Sequence, residues 1–302
     1  MSNSYSAFAA YCTEQGISFK AKEPLRFHTT FKIGGECELL ACPNSLEQIA
    51  GLLQKCQELE LPCFILGKGS NVLASDEGFD GVIVKLTEAY SEVAVNGDLL
   101  ECEAGASLSK ACYTAYENGL TGLEFAWGIP GTIGGALFMN AGAYGGEMKD
   151  ITVSADYLTK EGLPGTYAKE ELELSYRHSI FSDRPGCCIT NVVVQLQPGE
   201  KEAIKARMDD LMERRKSKQP LEYPSAGSTF KRPEGNYASA LIEQCGLKGT
   251  RIGGAQVSQK HSGFLINAGD ATCRDVEELI RLVQTTVEQK TGYHLECEIR
   301  RI

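Results

Sequence analysis

The chain has 302 residues, 42% hydrophobic and 23% charged, enough for two or three domains with real cores. A formal charge of −10 excludes a general nucleic-acid binder, which needs a basic surface. No apolar run is long enough to span a bilayer, and the first residues lack a basic region followed by an apolar core, so neither export nor a membrane partner is expected. The twelve cysteines include no CxxC pair and the four histidines are scattered, so no metal site is expected; the thiols fit a reducing cytoplasm, with Cys12, Cys56, Cys63 and Cys112 in the core.

In chain order, residues 6–15 predict a short helix ended near Gly16. Residues 36–42 predict a strand. Ser45 is set to cap a helix over 47–59, whose apolar side chains recur at helical spacing. CFIL is a short buried strand running into the loop GKGSN, and 81–86 gives another strand. Residues 92–105 read as a hairpin turning at Asn96-Gly97. A helix over 108–118 leads to a glycine-rich, almost uncharged stretch at 122–147 that holds the only tryptophan. Strands follow at 152–158, before LSYRHS, and at 188–196. A charged amphipathic helix over 200–218 ends at Gln219-Pro220. Beyond it come the turn PSAGSTFKRP, a helix over 238–245, a turn-rich stretch, a long helix over 274–289 and a last strand, LECEIRRI. The class is α+β, with boundaries at 1–88, 89–199 and 200–302.

Two stretches are suited to holding a large ligand by its backbone. In the loop after CFIL, Gly67, Lys68, Gly69, Ser70 and Asn71 can form an anion-binding nest. The order GKGS is not a Walker A loop, and Val72 stands where a dinucleotide fingerprint needs its third glycine. Within 122–147, Gly128, Ile129, Pro130, Gly131, Thr132, Gly134, Gly135, Asn140, Ala141 and Gly142 offer a broad apolar backbone surface. A nest and a flat apolar wall together suit a dinucleotide such as FAD; tight turns in a packed core are the alternative. Arg177, in SYRHSIF, offers a forked permanent cation for a carboxylate or oxyanion, or a surface ion pair. Ser228 lies in a turn with no nucleophile elbow around it, so a serine-hydrolase reading fails. Glu296 and Glu298 share one face of the last strand.

Taken together and in this order, TTFKIGG, GKGSNVL, GIPGTIGGALFMNAGAYGGE, YRHSIF, PSAGSTFKRP, LKGTRIGGAQVSQKHSGFLIN and LECEIR resemble the UDP-N-acetylenolpyruvoylglucosamine reductase family of peptidoglycan synthesis. The resemblance covers nearly the whole chain. It implies a PCMH-type two-lobed FAD-binding domain, lobes 1–88 and 89–199, followed by a C-terminal α+β domain for the UDP-sugar at 200–302. It further implies non-covalent FAD, NADPH as co-substrate and UDP-GlcNAc-enolpyruvate as substrate, with no obligate protein partner evident. By motif match Arg177 stabilises an enolate, Ser228 gives the proton and Glu298 is the supporting carboxyl group. Lys218, with Lys216 as its rival, Arg232 and His261 are the implied substrate contacts. The longer form of the family carries an insertion with a tyrosine that closes over the sugar; here Leu196 runs through Gln197, Pro198 and Gly199 into the helix, so no lid tyrosine carries over. Two other readings stay open: another PCMH-type flavin oxidoreductase, and a flavin- or nucleotide-binding regulator without turnover.

Overall fold

A computed structural model of the protein describes residues 3–302. Packing divides the described residues into two units: residues 3–23, 38–68 and 80–214 form the first, and 24–37, 69–79 and 215–302 the second. The linear boundaries at 88 and 199 are therefore not the divisions that packing makes. Two early excursions of the chain belong with its last third.

The first unit carries two larger sheets over one apolar core, beside two short two-stranded ones. One sheet runs in the order Ser18–Pro24, Glu36–Cys42, Phe79–Lys85, Cys63–Leu66, the last two strands being parallel. Helix Leu46–Glu58 buries Ile49, Leu52, Leu53 and Cys56, a stripe at helical spacing, and Ser45 Oγ accepts the Gln48 N–H at 3.2 Å to cap it. The other sheet is antiparallel, in the order Pro164–Ala168, Thr152–Leu158, Cys188–Gln195, Leu99–Glu103, Val93–Asn96. Its central strands alternate: Leu100 and Cys102 are buried opposite Val194 and Val192. The hairpin turn falls one residue later than expected, because Asn96 pairs with Leu99 and leaves Gly97 and Asp98 as the loop. Helix Lys201–Lys218 reaches this core with Ile204 and Met208.

In the second unit a short antiparallel sheet, in the order Ser225–Ser228, Phe264–Asn267, Ala255–Val257, Arg251–Ile252, is covered by helix Cys273–Thr291. That helix buries Val276, Leu279, Ile280, Val283 and Val287. The early segments supply Phe31, Ile33 and Leu73 to the same core. They also supply Val72–Leu73, which pairs in parallel with Arg300–Arg301. The expected last strand over 295–302 shrinks to that two-residue piece and an isolated bridge between Phe230 and Cys297. Among the described residues all twelve cysteines are free thiols, and no helix is long and apolar enough to cross a membrane. Cys12, Cys56 and Cys112 are buried, whereas Cys63 is half-buried at the edge of the first core.

Candidate active site

Within the first unit the two glycine-rich loops touch. A Cβ on Gly67 would stand 2.6 Å from Thr132 Oγ1, so only glycine lets the end of strand Cys63–Leu66 approach the start of helix Ile133–Phe138. Thr132 is buried and caps that helix, its Oγ1 accepting the Gly135 N–H at 3.2 Å. Glycine at 134 and at 142 has a different origin from the one the sequence implies. A Cβ there would meet Ala104 Cβ at 2.6 Å or Glu147 Cβ at 2.7 Å, so both glycines fit protein against protein. Gly128, Ile129, Gly131 and Gly135 are at least partly exposed around them, with Pro130, while Ala141 is buried. Ile129 and Trp127 pack partly onto the core.

The chain passes from the first unit to the second inside GKGSN, between Lys68 and Gly69. Gly69 and Asn71 are engaged within the second unit. The Gly69 carbonyl accepts the Thr30 N–H at 3.2 Å, and Asn71 donates its amide to the Glu298 carbonyl at 3.1 Å while its own carbonyl accepts the Arg300 N–H. Ser70 lies half-buried between them. Asn71, expected as part of an anion nest, binds the segment that carries Glu298 and Arg300.

Arg177 sits with φ +56°, a left-handed backbone uncommon for a side chain of its size. Its guanidinium donates to the Asn140 carbonyl at 3.5 Å and the Gly142 carbonyl at 3.4 Å, and lies 5.2 Å from the centre of the Tyr176 ring. Asn140 is fully buried, and both its amide N–H groups and its side-chain oxygen are engaged inside the fold. It was expected along the cofactor; its side chain instead joins the segments on which Arg177 rests. His178 pairs with Asp183 at 2.9 Å on the surface.

In the second unit a bulge precedes Ser228. Ser225 pairs with Ile266 and Ser228 with Phe264, so three steps on one strand oppose two on the other. Gly227, at φ +77°, absorbs the extra residue. The next residue, Thr229, is buried; its carbonyl accepts the Glu298 N–H at 2.8 Å. Ser228 and Glu298 therefore lie on neighbouring, hydrogen-bonded segments. Arg232 is exposed and stacks on Tyr237, 4.5 Å from the ring centre. Lys218 is exposed at the end of its helix, and the carbonyl of Lys216 accepts from Lys260 Nζ at 2.6 Å. His261 accepts the Gly263 N–H on Nδ1 at 3.2 Å and meets Phe264 edge-on. Burial lowers its pKa below the ordinary value, Lys248 assisting and Glu243 opposing, so the ring is neutral and its proton sits on Nε2.

These residues stand in a chain with close relatives. Residues 219–302 match the model of the UDP-N-acetylenolpyruvoylglucosamine reductase C-terminal domain, and residues 37–164 match that of an FAD binding domain. A UDP-N-acetylenolpyruvoylglucosamine reductase of Clostridium novyi is 50% identical over 279 residues, 91% of this chain and 89% of its own length. The chain belongs to the UDP-N-acetylenolpyruvoylglucosamine reductase family. A second member, from Syntrophomonas wolfei, is 44% identical over 93% of this chain and 94% of its own. The crystal structure of the Thermus caldophilus reductase superposes with a TM-score of 0.79 at 34% identity, covering 94% of this chain and 98% of that one. The α+β architecture is that of the reductase family, and the match runs through both units.

Proposed function

We infer that the protein reduces UDP-N-acetylglucosamine enolpyruvate to UDP-N-acetylmuramate with NADPH and FAD, a step in making peptidoglycan precursors. The observation that carries the reading is the contact of the two glycine-rich loops at Gly67 and Thr132, in a chain that follows the family over nine-tenths of its length. The backbone of residues 67–71 and 128–135 is suited to hold FAD, the first by polar groups and the second by its flat apolar surface. The two sheets of the first unit correspond to the two lobes of a PCMH-type FAD-binding fold, and the second unit takes the UDP-sugar. FAD, when bound, supplies hydride chemistry between NADPH and the vinyl carbon of the substrate.

The chain's own residues handle charge and proton. Reduction of the vinyl ether builds negative charge into the adjacent carboxylate, and the permanent fork of N–H donors of Arg177 is the group suited to stabilise it. Ser228, which follows a bulge, gives a proton to the α-carbon; a hydroxyl is a weak acid, so this works only toward a strongly basic carbanion held close. Glu298 supports the serine from the neighbouring segment. His261, with its Nδ1 taken by the Gly263 N–H, has its Nε2–H left as a donor suited to a diphosphate oxygen, and Lys218 and Arg232 add charge. Twelve free thiols fit a cytoplasmic home.

The test separates the two half-reactions. Purified protein should be yellow, release flavin on denaturation, and oxidise NADPH faster when UDP-GlcNAc-enolpyruvate is added. Ser228→Ala should leave flavin reduction by NADPH within about twofold and abolish product formation, and Arg177→Ala should slow the substrate half-reaction by about a hundredfold or more, the loss typical of one oxyanion donor. Equal loss in both half-reactions would remove these residues from their roles.

A further inference from the structure

We propose that Asn140 is the positioning residue for Arg177, acting through a clamp it forms with Glu147 and Ser175. The assignment rests on the role given to Arg177 above. Asn140 is fully buried and has φ +44°, a left-handed backbone that asparagine and aspartate tolerate better than other residues with side chains. Its amide donates to Glu147 Oε2 at 3.0 Å and to the Ser175 carbonyl at 2.8 Å, and its side-chain oxygen accepts the Lys149 N–H at 2.8 Å. Residues 147–149 and Ser175 therefore meet on one side chain, and Ser175 stands two residues before Arg177.

A second tether lies two residues beyond, where Ser179 Oγ donates to the Phe138 carbonyl at 2.6 Å. The segment carrying Arg177 is held on both flanks to the stretch 138–149. The guanidinium then rests on the carbonyls of Asn140 itself and of Gly142, at 3.5 and 3.4 Å. Bonds of that length are weak, so they orient only if the carbonyls do not move. The clamp supplies that immobility: a buried amide with every polar atom paired resists displacement, since each lost partner costs about 1–3 kcal/mol.

The chemistry requires an amide. Aspartate matches asparagine in size and in tolerance of the backbone, but its carboxylate has no donor and would face two acceptors, the Glu147 carboxylate and the Ser175 carbonyl. Glu147→Gln would return a donor to that pair.

The experiment compares holoenzyme carrying Asn140→Asp, Glu147→Gln, both together, and Arg177→Ala. Two quantities are read: the rates of the two half-reactions in single turnover, and the rate at which trypsin cuts the 177–178 bond, which reports on the loop without any turnover. Asn140→Asp is expected to keep its FAD, be reduced by NADPH within twofold of the parent, react with saturating substrate at least tenfold more slowly, and be cut at least tenfold faster. Adding Glu147→Gln should bring both altered rates back to within about threefold. Unchanged cleavage and turnover, equal slowing of both half-reactions, or no recovery in the double variant overturns the proposal. If Arg177→Ala is slow with substrate and Asn140→Asp is not, the clamp fails while the role of Arg177 stands; if Arg177→Ala is unaffected, both fall. Should Asn140→Asp not fold, Glu147→Leu removes one acceptor from the amide, and about threefold changes in the same two readouts are expected. No change in either overturns the assignment.

Discussion

Burial holds the His261 imidazole below its ordinary pKa, while the Gly263 N–H occupies Nδ1. The unfolded chain takes up a proton near pH 6.5, before the folded one does. Stability is thus full above that pH and declines as the pH falls toward the folded value, at about 1.4 kcal/mol for each unit of displacement. Urea titrations at pH 7.5 and 5.5 should show this loss in the parent and less of it in His261→Gln, whose carbonyl can take the Gly263 N–H without titrating. An equal loss in both would assign the acid sensitivity elsewhere. The roles proposed for Arg177, Ser228 and Glu298 rest on side-chain chemistry that the sequence shows directly. Their supports were not legible there. The bulge before Ser228 and the amide beneath Arg177 depend on partners far along the chain, and neither leaves a local pattern. Glycine was half-legible: at 67 it marks the meeting of two loops, but at 134 and 142 it serves packing.

At the level of elements, helix Cys273–Thr291 is capped twice. Thr272 Oγ1 accepts the Asp275 N–H at 3.0 Å, and Asp76 accepts the Cys273 and Arg274 N–H groups at 2.7 and 3.1 Å. The carboxylate also complements the positive end of the helix. Asp76→Ala should cost about 1–2 kcal/mol of stability in urea, and Thr272→Ala alone should cost less, since Asp76 keeps two of the end groups paired. Comparable losses would mean that the distant cap adds nothing. Elements with apolar periodicity or a local cap could be read directly: Glu36–Cys42, the helix behind Ser45 and Thr152–Leu158 lie where the sequence places them. Ser18–Pro24 could not, because SFKAKEP is an edge strand with no buried residue and a proline at its end. The sheet strands between 251 and 267 are two to four residues long, too short for a period of two to emerge from their glycines.

For the molecule as a whole, the two-lobed fold with a following domain was legible through its order of motifs, but the true partition was not. Nothing local tells that residues 24–37 and 69–79 pack with 215–302. The second core buries Phe31, Ile33 and Leu73 almost completely. Each such side chain is worth about 1.5–3 kcal/mol, and their sum approaches the 5–15 kcal/mol that holds a domain together. A fragment of residues 215–302 should therefore lack cooperative melting by circular dichroism, although residues 219–302 form the matched C-terminal domain. A sharp two-state transition in that fragment would show that the early segments are dispensable.

The bond from Asn71 to Glu298 spans 227 positions of the chain. At ribosomal speeds of about 5–20 residues per second, Asn71 is made roughly ten to fifty seconds before its partner exists. During that interval Gly69 can already pair with Thr30, but Asn71 lacks both of its partners, the Glu298 carbonyl and the Arg300 N–H. Assembly of the loop at Asn71 is thus a late event in the life of the nascent chain, timed by the synthesis of the segment that carries Glu298.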